Sequence, residues 1–433
     1  MVASEYKQSL LLLALLNASI AFSFTVLPIK SRIHASHKNV HLRMSTSDNT
    51  RNANTTSNSQ KLDRRSFLTT STTSALAGGI LTTNPSTSYA SSSNLISSNT
   101  VPAFPPMGIG AWAWGDSVFW GYDKKNDQDL RQVFDYAVEK NVAFFDTAEV
   151  YGIGRSETLL GQFRETLSPE MRSKIQISTK FAALPWRTKP QDVVKACKDS
   201  LQRLGEQNGP IDLYLIHFPN AWSNAEYWEG LGMCVDQGLV RSVGVSNYGK
   251  DALRAAHSLL KEKYGIPLSA NQIQMSLLYR YPLENGLLDT CNELDVKVFS
   301  YSPLALGFLT GKYSKENLPS GPRKKLGEKL FGTGDTSSLS DLLSTMKNIA
   351  GNHDASISQV ALNWARGKGT IPIPGARTLR QAKENIQSLE WNLSSEEMAM
   401  LDEYAAKVPN LYTPDTLPFP KKDINTGLVM IDS

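Results

Sequence analysis

Ile175-Gln-Ile-Ser-Thr-Lys180, Gln191-Asp-Val-Val-Lys-Ala-Cys-Lys-Asp-Ser-Leu-Gln-Arg-Leu204 and Ile211-Asp-Leu-Tyr-Leu-Ile-His217 follow one another in the chain. The outer two are short apolar runs of strand length, and the middle one is an amphipathic helical pattern. Together they predict a strand, a crossover helix and a second, parallel strand. Each strand leads into an ionisable residue, Lys180 or His217.

The alternation continues in both directions. The other candidate strands are Gly108–Trp112, Phe144–Asp146, Val240–Ser246, Ala270–Gln274, Val296–Tyr301 and Thr370–Pro374, beside Ile175–Thr179 and Ile211–His217. Helical patterns cover Asp129–Glu139, Ser156–Leu167, Gln191–Leu204, Asn224–Gln237, Lys250–Glu262, Asn285–Leu294, Ser340–Trp364 in two pieces, and Leu379–Ile386. Eight strands alternating with helices, with no Pro- or Gly-rich linker between them, predict one α/β domain over residues 101–433, a (β/α)8 TIM barrel. A doubly wound sheet is the competing architecture, and it would carry a G-x-G-x-x-G fingerprint after an early strand. Gly108-Ile-Gly110 runs into Ala-Trp-Ala and Gly152-Ile-Gly154 into Arg-Ser-Glu, so neither completes it. In a barrel the C-terminal strand ends face the active site. Here those ends carry Asp146, Lys180, His217, Ser246, Asn247, Gln272 and Tyr301, more polar groups than packing needs.

The 433 residues hold 45 Lys or Arg and 41 Asp or Glu, a formal net charge of +4. Nine of the basic and three of the acidic residues fall in positions 1–90, so the first 90 residues carry +6 and the remainder −2. The folded part has no spare positive charge for a phosphate backbone, which argues against a nucleic-acid partner. Cys197, Cys234 and Cys291 are too few and too scattered for a disulfide framework or zinc site, and no metal is expected.

The basic leader reads as a series of addresses. Leu10–Leu16, preceded by Lys7 and followed by small residues up to Phe22, has signal-peptide proportions over about residues 1–22. It is too short to span a bilayer, so no integral membrane segment is expected in the mature protein. From Ser45 to Thr100, 26 of 56 residues are Ser or Thr, a composition that cannot bury enough surface to fold. Within it, Arg64-Arg-Ser-Phe-Leu68, a weakly apolar Ala75–Leu81 and Ser88-Tyr-Ala90 look like a twin-arginine export element over about 64–90. Two adjacent arginines in a basic transit peptide are the alternative. The series resembles the multi-part leaders of algae whose plastids lie behind extra membranes. That resemblance implies a cleaved or disordered leader over residues 1–100 and delivery to the plastid or chloroplast, with the thylakoid lumen as the end point of a twin-arginine route.

Six pieces of the folded part occur in register with the candidate strands: Phe145-Asp-Thr-Ala-Glu-Val-Tyr-Gly152, Ser178-Thr-Lys-Phe181, Asp212-Leu-Tyr-Leu-Ile-His217, Gly244-Val-Ser-Asn247, Tyr301-Ser-Pro-Leu304 and Ile373-Pro-Gly-Ala-Arg377. In that order, from about Pro106 to about Leu401, the chain resembles the aldo-keto reductases. Phe181-Ala-Ala-Leu-Pro-Trp186 and Ser320-Gly-Pro-Arg323 are similar to the plant plastid branch of that family. The resemblance implies NADP(H)-dependent reduction of a small-molecule aldehyde or ketone to an alcohol, with a tetrad of Asp146, Tyr151, Lys180 and His217. The residue types suit the chemistry. A general acid must reach the developing alkoxide, and a tyrosine with a pKa near 10 is a poor donor unless a neighbouring ammonium lowers that value. Lys180 is the implied ammonium, Asp146 the carboxylate holding it, and His217 the group that orients the carbonyl oxygen. Taken singly, each also has a plain structural explanation: loop packing for Tyr151, a solvated strand end for Lys180, a turn histidine for His217.

By the same resemblance Ser246, Asn247 and Gln272 hydrogen-bond the nicotinamide carboxamide while Tyr301 stacks on its ring. Ser302, Leu304, Gly307, Gly311 and Lys312 meet the pyrophosphate. Arg377 meets the adenosine 2′-phosphate, with Thr378, Gln381, Glu384 and Asn385 at the start of the last expected helix. The alternative function is a cofactor-sensing regulatory subunit, since potassium-channel β-subunits resemble this branch. Trp112, Trp114, Trp120, Trp186 and Trp222 either form an aromatic substrate pocket or pack the rim. Tyr313–Ser338, rich in Lys, Gly and Ser, is a long insertion after the seventh strand that could close over the cofactor.

Overall fold

Eight parallel strands pair in chain order: β1 (Ile109–Gly110), β2 (Phe144–Asp146), β3 (Gln176–Phe181), β4 (Leu213–Ile216), β5 (Val243–Ser246), β6 (Leu268–Gln274), β7 (Lys297–Tyr301) and β8 (Ile371–Ile373). Backbone bonds from Gly108 to Pro372 and from Gly110 to Pro374, both 3.0 Å, join β8 back to β1 and close the ring. This is the (β/α)8 barrel that the alternation predicts. The computed structural model describes residues 103–410 apart from 206–208, 221–222 and 333–336, together with a short antiparallel pair, Lys421–Lys422 and Val429–Met430. The leader features of residues 1–100 and Trp222 lie outside the described residues.

The outer layer consists of α1 (Asp127–Glu139), α2 (Arg155–Glu165), α3 (Pro190–Leu204), α4 (Asn224–Asp236), α5 (Lys250–Tyr264), α6 (Leu287–Glu293), α7 (Lys324–Gly332), α8 (Ser337–Asn352), α9 (Ile357–Gly367), α10 (Leu379–Gln387) and α11 (Ser395–Lys407). In α3, for example, Val193, Val194, Cys197 and Leu204 share the buried face, and Pro190 sits in the first turn, where its missing N–H costs nothing. The main core lies between these helices and the strands. A smaller core fills the barrel itself, with Phe144, Leu213, Leu215, Ala270, Phe299 and Ile373 all buried. Phe144 stacks on Phe299 at 5.0 Å, and Phe104, ahead of β1, meets the same two rings edge-on at 5.7 and 5.1 Å. Burying each such ring stabilises the fold by roughly 2–3 kcal/mol. Gly244 is required here, because a Cβ would stand 2.5 Å from Leu215 and 2.6 Å from the Ala270 carbonyl oxygen.

Two features differ from the expected outline. Residues 313–338 are not one open loop: a short 3-10 turn at Gly321–Arg323 leads into α7, whose Leu326 is buried, and Phe331 packs on Phe308 at 6.1 Å. The apolar spacing of Leu326, Leu330 and Phe331 is helical, but the surrounding Lys and Gly mask it. The other difference is α11, which begins with a Ser394–Glu397 capping box and lies beyond the last expected helix.

Candidate active site

A cavity of about 540 Å³ opens at the C-terminal ends of the strands. At its base Lys180 is wholly buried. Its ammonium donates to Asp146 Oδ2 at 2.7 Å, to the Thr147 carbonyl at 2.7 Å and to the Tyr151 hydroxyl at 3.4 Å. These bonds account for all three N–H donors of a lysine. The second oxygen of Asp146 accepts the Gln272 amide at 2.7 Å, so this carboxylate is bonded from both sides. The Tyr151 and His217 rings meet edge-on, 5.7 Å between centroids. β2, β3, β4 and the loop after β2 therefore bring Asp146, Tyr151, Lys180 and His217 together.

Burial dominates the electrostatics. It pushes the Lys180 amine down, against the opposing pull of Asp146. It holds the Tyr151 phenol well above its ordinary range, reinforced by the charges of Asp146, Tyr301 and Asp116. The sequence-based expectation of a lowered tyrosine is thus reversed, because desolvation of a phenolate outweighs one ammonium already bonded to Asp146. Tyr151 consequently keeps its proton at neutral pH. His217 is held well below its usual value, by burial first and then by Lys180, so its imidazole is neutral; its Nδ1 is buried without a partner.

The loop that carries Tyr151 is pinned on two sides. Gly152 has φ +57°, and a Cβ there would lie 2.5 Å from the Gly115 backbone, so the loop after β2 packs directly on the loop after β1. Glu149 accepts the Ala182 N–H at 2.6 Å and the Arg187 guanidinium at 2.5 Å, tying this loop to the segment that follows Lys180.

Further along the cavity, Tyr301 donates to Asn247 Oδ1 at 2.9 Å, while the Asn247 amide donates to the His217 carbonyl and to Ser246 Oγ, each at 3.1 Å. Asn247 sits at φ +62° and Ser302 at φ +50°, left-handed conformations at the ends of β5 and β7. Ser246, Asn247, Gln272, Tyr301, Ser302, Leu304, Gly307, Lys312, Arg377 and Gln381 all line the cavity. Gly311, Thr378, Glu384 and Asn385 are not among the lining residues. Thr378 caps α10, Glu384 accepts the Ser356 hydroxyl at 2.8 Å, and Asn385 donates to the Gly375 carbonyl at 3.3 Å.

The far end is basic. Trp120 lies near two guanidiniums, Arg323 at 5.1 Å and Arg377 at 5.8 Å from its ring centre, and Arg377 also donates to the Trp120 carbonyl at 3.0 Å. Burial, and then the charge of Arg323, keep Arg377 below the usual guanidinium value. Trp120 Nε1 and Arg323 Nε are buried donors without a partner. Two close cations and two orphaned donors fit a phosphate-bearing ligand. Of the tryptophans, Trp112 and Trp120 line the cavity, whereas Trp114 is a core residue bonded to the Ala376 carbonyl at 2.8 Å. Trp186 is exposed and is not a lining residue. Among the described residues no helix is long and apolar enough to cross a membrane.

The model of the aldo/keto reductase family matches residues 106–406. The chain belongs to that family. It is an oxidoreductase. It is 41% identical over 316 residues to "Pyridoxal reductase, chloroplastic" of Arabidopsis thaliana, covering 70% of this chain and 83% of the relative. Among solved structures, a thermostable aldo-keto reductase crystallised with the inhibitor epalrestat superposes with a TM-score of 0.56 at 28% identity, over 70% of this chain and 95% of the other. An aldo-keto reductase of Klebsiella pneumoniae in complex with NADPH gives a TM-score of 0.54 at 25% identity, over 69% and 90%.

For an aldo/keto reductase fold, three site residues are not visible in the local sequence pattern. Glu149 stands inside the Asp146–Tyr151 motif, but its partner Arg187 is remote in sequence. Arg323 sits in Ser320-Gly-Pro-Arg323, which signals only a branch of the family until folding lays it against Trp120. Asp116 has no motif around it.

Proposed function

We propose that the enzyme reduces aldehydes or ketones to alcohols with NADPH, and that Tyr151 gives the proton. The observation that carries this is the Lys180 ammonium, bonded at once to Asp146, Thr147 and Tyr151 beside a neutral His217. Bound NADPH supplies a hydride to the carbonyl carbon. Tyr151 enters the reaction protonated and gives its hydroxyl proton to the carbonyl oxygen as negative charge develops there. Lys180 then faces a phenolate rather than a phenol, and Asp146 keeps it charged for that moment. The neutral imidazole of His217 donates one hydrogen bond to the same oxygen and orients it.

In this reading Ser246, Asn247, Gln272 and Tyr301 surround the nicotinamide. Ser302, Leu304, Gly307, Gly311 and Lys312 follow the pyrophosphate, joined by Arg323. Arg377, with Thr378, Gln381, Glu384 and Asn385 around it, receives the 2′-phosphate and so selects NADPH over NADH. The NADPH complex of the Klebsiella neighbour and the orphaned donors of Trp120 and Arg323 support this assignment. The chloroplastic relative supports plastid delivery; a lumenal end point rests only on the twin-arginine-like element of residues 64–90. No observation favours the regulatory-subunit alternative. The test is turnover of a carbonyl panel, including pyridoxal because of the relative's name, with NADPH and NADH by the purified protein. NADPH-preferring reduction of at least one member is expected. Tight NADPH binding with no turnover of any member would overturn the reading.

A further inference from the structure

Few polar contacts hold the Tyr151 side chain itself. Among the described residues its hydroxyl has one hydrogen bond, the 3.4 Å contact with the Lys180 ammonium, which is long for such a bond. The position of that hydroxyl is therefore set largely by the backbone of residues 147–152, the loop after β2. Gly152 packs one end of this loop on Gly115. Towards the other end stands Glu149, the single carboxylate of the loop, with a side chain only 9% exposed. Its Oε1 accepts the Ala182 N–H at 2.6 Å and the Arg187 guanidinium at 2.5 Å, and its own N–H reaches the Lys180 carbonyl at 3.4 Å. Arg187 is itself fixed. Its guanidinium lies 5.2 Å from the Phe181 ring centre, and its carbonyl accepts the Tyr227 hydroxyl at 2.5 Å. The Tyr227 hydroxyl in turn accepts the amide of Asn220, three residues beyond His217, at 3.1 Å. One chain of bonds thus runs from the loop that carries Tyr151, through the segment after Lys180, to the loop that carries His217.

We propose that Glu149 is a positioning residue for the proton transfer: anchored by Ala182 and Arg187, it holds the Tyr151 hydroxyl where that group and His217 reach one carbonyl oxygen. The proposal rests on the carbonyl-reductase reading above, in which those two side chains share that oxygen. Glu149 is not among the residues lining the cavity, whereas its neighbours Val150 and Tyr151 are. Whatever it contributes passes through the loop. Proton transfer needs donor and acceptor about 2.6–3.2 Å apart, and a misplacement of about 1 Å costs about 10²-fold in rate. A carboxylate bonded to a guanidinium and a backbone N–H makes charge-assisted bonds, the strong kind that can hold a loop to that tolerance. The loop has no substitute for it. Ala148 and Val150 are apolar, and the Thr147 hydroxyl is bonded to Ser156 Oγ at 2.8 Å.

The test is a double-substitution cycle between Glu149 and Tyr151, read by single-turnover NADPH oxidation with a saturating aldehyde. Each rate is divided by the number of NADPH-binding sites, so that misfolded protein does not count. Glu149→Ala is expected to lower the rate about 10- to 100-fold, with the NADPH Kd and the half-saturating aldehyde concentration within about threefold of wild type. Glu149→Gln, which keeps an acceptor for Ala182 and Arg187, should stay within about fivefold of wild type. In Tyr151→Phe, where the hydroxyl is gone, adding Glu149→Ala should change the residual rate by less than about twofold. A further fall of more than about threefold in that background would overturn the proposal, because Glu149 would then act on something other than the Tyr151 hydroxyl. A Glu149→Ala rate within about twofold of wild type would overturn it as well. Should Glu149→Ala fail to bind NADPH, Arg187→Gln, which leaves the Ala182 bond in place, enters the same cycle under the same criteria. Equal rates in wild type and Tyr151→Phe would instead overturn the acid role of Tyr151, and with it the reading on which the proposal stands.

Discussion

At the Tyr151 end of the cavity the charges are satisfied within the protein: Lys180 pairs with Asp146, whose second oxygen accepts the neutral Gln272 amide. At the Arg377 end, Arg323 and Arg377 flank Trp120 with no carboxylate paired to either among the described residues. The first arrangement is electrostatically complete within the protein. The second lowers its free energy when an anion arrives between the cations. Substitutions at the first end should therefore damage both chemistry and fold, and substitutions at the second should damage affinity alone.

Lys180→Met should have the largest effect. It removes the ammonium that receives the phenolate and leaves Asp146 buried and unpaired. Carbonyl reduction should fall about 10³-fold, and urea unfolding should show a loss of about 3–5 kcal/mol. A variant of unchanged stability would break the claim that this end is internally completed. Arg377→Ala comes next. NADPH binding, followed by nicotinamide fluorescence, should weaken about 10- to 100-fold while NADH binding and urea midpoint hold. Equal weakening for both cofactors would show that Arg377 does not meet the 2′-phosphate.

The smallest effect is a pH dependence of stability. Unfolded His217 takes up a proton near pH 6.5, whereas the folded form does so only well below that value. Its contribution is complete above about pH 6.5 and is lost as pH falls towards the folded value, because the unfolded state then binds more protons. Urea midpoints at neutral and mildly acidic pH should diverge in the wild type and converge in His217→Gln. The same divergence in both proteins would assign the effect to other groups.

The strand order and the strand ends were legible in the sequence because they depend on local periodicity, whereas Asp146, Tyr151, Lys180 and His217 were singled out through the short motifs that carry the family resemblance. The basic end was only half legible. Arg377 follows a strand in Ile373-Pro-Gly-Ala-Arg377, but Arg323 reaches Trp120 only through the turn and helix hidden in residues 313–338. The direction of the Tyr151 shift was misread because a motif reports which groups are neighbours, not how far they are removed from water.

The central claim is that Tyr151 supplies the proton while the cofactor is held elsewhere. The most direct measurement compares wild type and Tyr151→Phe in single-turnover NADPH oxidation with an aldehyde substrate, alongside NADPH affinity. The account predicts a rate about 10²- to 10⁴-fold lower in Tyr151→Phe, with the NADPH Kd within about twofold of wild type. Equal single-turnover rates in the two proteins would contradict it.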